Sequence, residues 1–181
     1  EIIIILCPSH DINDKRINRI NKVLSKKYKT LLFYEESYKL NDKEGGNIFY
    51  VKNKLDYFKI KSILINQNIN SKFSLYVHDS GIFGMLICWW WSKNKKVSSI
   101  TFDYHDWLPW EISYQIRKII KSKKLIIFLS KLIHLFLKKL FKSMKITNLV
   151  GISLNQIYEF KKDFKISNTR DLIVPNTRKK I

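Results

Sequence analysis

The chain opens with an almost continuous run of branched apolar residues, Ile2 to Cys7, which reads IIIILC. A strand that is covered on both faces is apolar throughout, whereas a strand with one face in water alternates between apolar and polar residues. The run therefore predicts a buried strand of a parallel sheet. A polar loop follows, and from Lys15 to Lys27 apolar residues recur at three- and four-residue spacing, which predicts an amphipathic helix capped by Asn13 or Asp14.

The same order of strand and helix is repeated along the rest of the chain. Such alternation, with apolar strands, predicts an α/β fold: a parallel, Rossmann-like sheet sandwiched between helices on both faces. We predict further strands at 30–34, 48–51, 73–78, 97–102, 148–152 and 171–174, and further helices at 55–66, 82–91, about 112–145 and 154–162.

The composition is that of one basic domain. The 181 residues include 34 Lys and Arg against 15 Asp and Glu, a net charge of +19, which favours an anionic partner such as nucleic acid, a phosphorylated substrate or acidic lipid. The longest apolar stretch, Leu125 to Leu137, has 13 residues, whereas a spanning helix needs about 20. We therefore predict no transmembrane helix, no signal peptide, and a cytoplasmic protein whose Cys7 and Cys88 are buried thiols.

Polar residues follow several of the predicted strands at the points where those strands end. In open parallel sheets, ligands bind in the crevice beyond the carboxyl ends of the strands. These loops are therefore the candidate site, and their polar residues include Ser9, His10, Asp79, Ser80, Asp103, His105, Asp106, Ser153 and Asn176.

The segment TFDYHDWLPWE, residues 101–111, is the richest of these loops. A histidine near its ordinary pKa of about 6.5 can donate to a hydroxyl or phosphate or exchange a proton, and a neighbouring carboxylate can orient it. His105 and Asp106 are therefore candidate catalytic residues. In the alternative interpretation, Asp103 or Asp106 caps the next helix and His105 is only a polar residue with its hydrogen bonds satisfied.

Several common site motifs are absent from the sequence. Neither G-x-G-x-x-G nor G-K-[ST] occurs, so a dinucleotide cofactor and a P-loop are not indicated, and without G-x-S-x-G there is no serine hydrolase elbow. The histidines His10, His78, His105 and His134 form no H-x-x-x-H pair on a helix, so no metal site is predicted.

Five segments, taken in order, resemble the N-terminal Rossmann-like domain of the two-domain GT-B glycosyltransferases. The resemblance is to the large retaining family that includes many bacterial polysaccharide and lipopolysaccharide enzymes, and it covers residues 2 to about 176. The segments are PSHDINDKRINRINKVL, with Asp14 and Arg16 at the first helix, YVHDSGIFGMLICWWW, ITFDYHDWLPWE, NLVGISLNQIYEF and DLIVPN.

The resemblance implies a hexosyltransferase-like enzyme that moves a sugar from a nucleotide-sugar donor to a glycan or lipid-linked acceptor, without a metal ion or another cofactor. Residues 1–176 would be the acceptor-side half of the GT-B fold. Residues 177–181 would begin the linker to a separate donor-binding domain, without which the chain should be inactive. The resemblance implies that His105 lines the cleft beside the transferred sugar and that Asp106 stabilises that loop or contacts the acceptor. The expected substrate-binding residues are Ser9, His10, Asp14, Arg16, Asp79, Ser80, Asp103, Ser153 and Asn176.

A basic segment lies between Ile112 and Tyr158, where ten Lys and Arg occur without an acidic residue. At about 100° per residue, Lys121, Lys124, Lys139 and Lys142 gather on one side of a helix, and Ile116, Ile127, Leu137, Phe141 and Met144 on the other. Such a segment suits the surface of an anionic membrane, which predicts peripheral attachment to the inner face of the cell membrane. Alternatively, the apolar side covers the sheet and the lysines are simply solvated.

A second function class remains open at this stage. A free-standing flavodoxin-like or nucleic-acid-binding α/β module without transferase activity would share the same pattern of strands and helices. Aromatic residues in TFDYHDWLPWE could stack on bases, but the three carboxylates of that segment would repel phosphates, which makes nucleic acid the less favoured partner.

Overall fold

The computed structural model describes residues 1–10, 12–38, 47–66, 69, 71–79, 81–104, 113–114 and 116–174 of the chain. These residues form a seven-stranded sheet in which every pair of neighbouring strands is parallel. The predicted α/β, Rossmann-like fold is therefore confirmed. The strands are β1 (Ile2–Cys7), β2 (Lys29–Glu35), β3 (Ile48–Val51), β4 (Phe73–Val77), β5 (Val97–Asp103), β6 (Asn148–Gly151) and β7 (Arg170–Ile173).

The order of the strands across the sheet is β3-β2-β1-β4-β5-β6-β7. The chain thus builds outward from β1 to one edge, returns to pair β4 with the other side of β1, and then builds outward to the opposite edge. The gap between the loops that leave β1 and β4 is the topological switch point, which is where open parallel sheets place their ligands.

Five α-helices connect the strands: α1 (Lys15–Leu24), α2 (Lys61–Asn66), α3 (Ile82–Trp91), α4 (Lys123–Lys142) and α5 (Leu154–Phe164) in the described residues. The predicted helix at 55–66 is instead divided into a 3₁₀ turn over Lys54–Phe58 and the short α2. Tertiary contact accounts for the 3₁₀ turn, because the buried Tyr57 hydroxyl donates to the carbonyls of Cys7 and Phe33 at 3.1 and 3.3 Å.

The branched run of β1 is buried on both faces, as predicted. Ile4 and Leu6 point into the larger core, which lies between the sheet and helices α3, α4 and α5, while Ile3, Ile5 and Cys7 point into a smaller core beneath α1. Helices therefore cover both faces of the sheet. Burying each of the Ile and Leu side chains among these stabilises the fold by about 1.5–3 kcal/mol, and β1 contributes to both cores.

The face that carries α1 is only partly covered in the described part of the chain. A groove of about 700 Å³ runs from α1 across β4 to β7, and residues that line it include Arg19, Tyr76, Thr101, Asn148, Arg170 and Leu172. The edge strand β7 is exposed along its length. Among the helices of the described ranges, none combines the length and the hydropathy that crossing a bilayer requires.

Candidate functional site

The loops that leave β1, β4 and β5 meet at the carboxyl end of the sheet, at the switch point. Ser9 and His10 follow β1, His78 and Asp79 follow β4, and Asp103 is the last residue of β5. Hydrogen bonds join these residues into a polar network, so residues that lie up to 94 positions apart in the chain share one site.

Asp103 is the buried centre of this network. Arg16 donates to its carboxylate from Nε at 3.1 Å and from Nη2 at 2.8 Å, while the Tyr76 hydroxyl and Nδ1 of His78 both approach Oδ2 at 2.7 Å. The third nitrogen of Arg16, Nη1, donates to the carbonyl of Val174. The guanidinium therefore ties α1 to the ends of both β5 and β7, and the two-point contact fixes its orientation.

Asp14 connects the start of α1 with two histidines. Its Oδ1 accepts hydrogen bonds from the backbone nitrogens of Arg16 and Ile17 at 2.8 and 3.1 Å, which is the predicted N-cap. Its Oδ2 lies 3.0 Å from Nδ1 of His10 and 3.8 Å from Nε2 of His78. The two carboxylate oxygens thus have separate partners, one capping the helix and the other facing the imidazoles.

Asp79 orders the loop that follows β4. Its Oδ1 accepts from the backbone nitrogen of Gly81 at 2.8 Å, and its Oδ2 accepts from the Ser9 hydroxyl at 3.1 Å, which links this loop to the one after β1. Helix α3 then passes close to the loop, because a Cβ built on Gly84 would lie 2.1 Å from the carbonyl oxygen of Asp79. Only glycine admits this approach without movement of the backbone.

The network shifts the pKa values of its members. Hydrogen bonds from His10 and His78 hold the pKa of Asp14 well below its usual range, so the carboxylate is ionised. Burial, reinforced by the charge of Asp103, raises the pKa of Tyr76, which keeps its hydroxyl protonated as a donor. Burial likewise raises the pKa of the Cys7 thiol, which is therefore protonated and weakly nucleophilic.

Six of the nine predicted substrate-binding residues form hydrogen bonds with one another at the switch point: Ser9, His10, Asp14, Arg16, Asp79 and Asp103. Their accessibility differs. Asp103 and Arg16 are buried and bind each other, whereas the side chains of His10 and Asp14 are 24% and 23% exposed. A ligand in the crevice would therefore contact His10 and Asp14 first, and Asp103 would influence it only through the residues that it orients.

The remaining predicted site residues are placed differently. Ser153 follows β6 and caps α5, with its hydroxyl oxygen accepting from the backbone nitrogen of Gln156 at 3.2 Å. The predicted residues His105, Asp106, Ser80 and Asn176 lie outside the described residues.

Tyr76 and His78 were missed by the sequence reasoning, although both contact Asp103. Each lies in the sequence YVHDSG, and a buried polar residue at the end of an apolar strand was the only available signal. The prediction of no metal site rested on helical H-x-x-x-H spacing, which cannot detect a cluster drawn from two loops. The structure brings ligand atoms of His10, Asp14 and His78 within 4.8 Å of one another.

Helix α4 begins at Lys123 rather than near residue 112 as predicted, since residues 118–122 are not helical, and it carries most of the predicted basic face. The side chains of Lys121, Lys124, Lys139 and Lys142 are exposed, on and just before α4. Leu137 and Phe141 from the opposite side are buried against the core, whereas Ile127, which was predicted for the same side, is 50% exposed. The solvent side of α4 also carries a second apolar stripe, formed by Leu125, Phe128, Leu132, Leu135 and Phe136. The sequence did not reveal this stripe, because the helix is apolar nearly all round.

Chemically, the crevice presents partly exposed hydrogen-bonding groups held by buried partners. Such groups can bind hydroxyl-rich ligands and exchange protons, and the fixed carboxylates favour ligands that donate hydrogen bonds.

Comparisons of the chain with protein-family models, with curated proteins and with solved structures found no match.

Proposed function

We propose that this chain is the acceptor-binding domain of a glycosyltransferase that transfers a sugar from a nucleotide-sugar donor to a glycan or lipid-linked acceptor. Residues 1–176 form the acceptor side of a GT-B enzyme in this proposal, and residues 177–181 lead to a donor-binding domain. The supporting observation is the polar network at the switch point, which joins the three segments PSHD, HDSG and the start of DYHD. The same segments carry the resemblance to these enzymes.

The geometry suits the recognition of a sugar. Ser9, His10 and Asp14 are partly exposed, and their hydroxyl, imidazole and carboxylate groups can pair with sugar hydroxyls. The buried Arg16–Asp103 pair beneath them holds the loops in place, so little ordering free energy is lost on binding. His105 and Asp106 complete the site in this proposal, the first beside the transferred sugar and the second on the acceptor side.

The test is a transfer assay on a protein in which this domain is joined to its donor-binding domain, with a panel of nucleotide sugars and radiolabelled product detection. We expect turnover to fall at least about tenfold in His105→Ala, since general acid–base and hydrogen-bonding groups contribute roughly 10²–10⁴-fold. The chain 1–181 alone should give no transfer. Full turnover in His105→Ala would reject the role of that ring, and absence of transfer with every donor would reject the enzyme class.

Ligand titrations of the isolated chain separate this proposal from the binding-module alternative. Changes in the NMR spectrum of His10 and Asp14 on addition of oligosaccharides, but not of flavin mononucleotide, would support an acceptor site. Tight, salt-sensitive binding of a single-stranded oligonucleotide would instead favour a nucleic-acid module, because phosphate contacts release counterions.

We further propose that α4 attaches the domain to an anionic membrane surface. Its solvent side combines an apolar stripe, in which Phe128 is 61% and Leu135 is 58% exposed, with the lysines at positions 121, 124, 139 and 142. Apolar residues that enter the interface beside lysines that contact headgroups are the features of an interfacial helix. A lipid-linked acceptor would place the substrate at the same surface.

Vesicle flotation tests the membrane proposal. We expect binding to phosphatidylglycerol vesicles but not to phosphatidylcholine vesicles, and loss of binding when the four lysines are changed to Gln, since each nearby lysine contributes about 1 kcal/mol. The control changes four exposed lysines near α1 and β2 to Gln, namely Lys22, Lys26, Lys27 and Lys29. Equal loss in both variants, or a concentration-dependent dimer that buries Phe128, would contradict attachment through α4.

A further inference from the structure

We propose that His10, Asp14 and His78 bind a divalent first-row transition-metal ion of the zinc class. Each residue offers one ligand atom, and these three atoms lie within 4.8 Å of one another. We assign them as Nδ1 of His10, Oδ2 of Asp14 and Nε2 of His78, because these are the atoms that approach each other. The inference rests on these contacts and does not depend on the proposed transferase activity.

The spacing of the ligand atoms fits a four-coordinate ion. Zinc binds imidazole nitrogen and carboxylate oxygen at about 2.0–2.2 Å, so neighbouring ligand atoms around a tetrahedral ion are about 3.3 Å apart. Oδ2 of Asp14 lies 3.0 Å from the His10 nitrogen and 3.8 Å from the His78 nitrogen. The two imidazole rings are also close, with centroids 4.3 Å apart, so the set closes on an ion with small side-chain movements.

The contacts of the two His78 ring nitrogens support the assignment. Asp103 also accepts from Arg16, and as a carboxylate it accepts a hydrogen bond from Nδ1 of His78 at 2.7 Å. The other nitrogen of the ring, Nε2, then faces Oδ2 of Asp14 at 3.8 Å. A carboxylate behind a ligating histidine is also the usual outer partner of metal sites.

The remaining groups hold the first ligands in place. Oδ1 of Asp14 is bonded to backbone nitrogens at the start of α1, which leaves Oδ2 facing the histidines. Arg16 neutralises the charge of Asp103. The net negative charge that the cluster offers to an incoming cation is therefore that of Asp14. His78 is buried, whereas His10 and Asp14 are partly exposed. An ion would therefore enter from the crevice, and its fourth ligand would come from the crevice side.

The ligand types select the metal. Two imidazoles and one carboxylate suit zinc, cobalt, nickel or ferrous iron, whereas magnesium and calcium prefer oxygen ligands alone. Three protein ligands with one open position are the arrangement of zinc sites that hold a water or a substrate oxygen. Metal binding at this place would therefore put a Lewis acid in the same crevice as the proposed sugar site.

Isothermal titration of the chelator-treated, dialysed chain with zinc chloride tests the proposal. We expect one ion per chain and no comparable binding of magnesium. Asp14→Asn should lower zinc affinity at least tenfold, because the amide keeps the helix cap but is a poor ligand, and His10→Ala should do the same. His134→Gln is the matched control, since His134 is paired with Asp163 on another part of the surface, and it should leave the affinity unchanged.

Cobalt absorption spectra identify the ligands independently of affinity. We expect visible d–d bands without a thiolate charge-transfer band, because Cys7 is not among the ligands. Zinc binding that is equal in the parent chain, Asp14→Asn and His10→Ala would overturn the proposal, as would a thiolate band. NMR evidence that both nitrogens of His78 stay protonated with zinc in excess would also overturn it, because a proton would then occupy the place assigned to the metal.

Discussion

Arg16 and Asp103 form a buried two-point ion pair, with Nη2 and Nε of the guanidinium 2.8 and 3.1 Å from the carboxylate oxygens, across 87 positions of sequence. The pair joins the first helix to the centre of the sheet and lies directly below the candidate site. It is therefore the contact through which the stability of the domain and the geometry of the site are coupled.

Breaking this pair should be strongly destabilising. Arg16→Met leaves Asp103 buried without its cation, and removal of one partner of a buried pair costs about 3–5 kcal/mol. Urea denaturation followed by circular dichroism measures the change. The matched control is Arg19→Met on the exposed side of the same helix, which should change the free energy of unfolding by about 0.5 kcal/mol or less. Similar values for the two variants would show that the pair does not hold the fold.

Gly84 should tolerate no side chain. In Gly84→Ala the new Cβ would lie 2.1 Å from the backbone oxygen of Asp79, so α3 or the loop must move, and overpacking of this kind costs about 1–3 kcal/mol or more. Gly81→Ala is the control, since its Cβ would meet only the Asp79 side chain, at 3.0 Å. Thermal unfolding of both variants should show a clearly larger decrease in Tm for Gly84→Ala, and equal decreases would contradict the close approach.

Truncation of a side chain should lower the free energy of unfolding on the buried side of α4 and leave it almost unchanged on the exposed side. Leu137 is fully buried, so Leu137→Ala should lower the free energy of unfolding by about 2–5 kcal/mol. Phe128 is 61% exposed, and Phe128→Ala should change it by about 0.5 kcal/mol or less. Denaturant titrations check both values. A large loss in Phe128→Ala would mean that the stripe is covered within the domain, which would remove the basis for membrane attachment.

Asp163 should make the stability of the domain depend on pH in the acid range. Partial burial acts to raise its pKa, but the hydrogen bonds from Lys138 and His134 outweigh it, and the pKa lies below the ordinary 3.8. A carboxyl with a depressed pKa stabilises the fold above its unfolded-state pKa, and that contribution is lost as the pH falls through the folded-state value.

Urea titrations of the parent chain and of Asp163→Asn at pH 6 and at pH 3 isolate this effect, because they give the difference in the free energy of unfolding at each pH. The parent should be the more stable at pH 6, and the difference should be smaller at pH 3, which is below the ordinary pKa of 3.8, so that protonation of Asp163 in the unfolded chain already favours unfolding. A difference that stays constant between the two pH values would show that this carboxylate does not contribute through its charge.

The two cysteines should be unreactive in the native protein. Burial is the main reason that the pKa values of Cys7 and Cys88 are raised, and both thiols are shielded from solvent. Ellman's reagent should therefore label them slowly in buffer and label two thiols per chain in guanidinium chloride. Rapid labelling of one thiol in buffer would show that its part of the core opens readily.

The amino-acid sequence by itself determined the layout of the sheet. The run in β1 could be stable only as a strand covered on both faces, and the alternation of strands with helices of 3.6-residue period led to a parallel sheet with its polar loops at one edge. These signals are local, because each depends on the spacing of apolar residues within one element. The bounds of β1, β3 and α3 were obtained in this way to the residue.

Only the tertiary structure decided which polar residues meet. Nothing in the local pattern links Arg16 to Asp103, or His78 to Asp14, because these contacts depend on the strand order that places β1 beside β4 and on the depth to which each side chain is buried. The same holds in part for α4: its period placed Leu137 and Phe141 correctly on the buried side, but only the packing of α3, α5 and the sheet decided that Ile127 stays exposed. Periodicity specifies which residues need to be covered, whereas the path of the chain in space specifies what covers them.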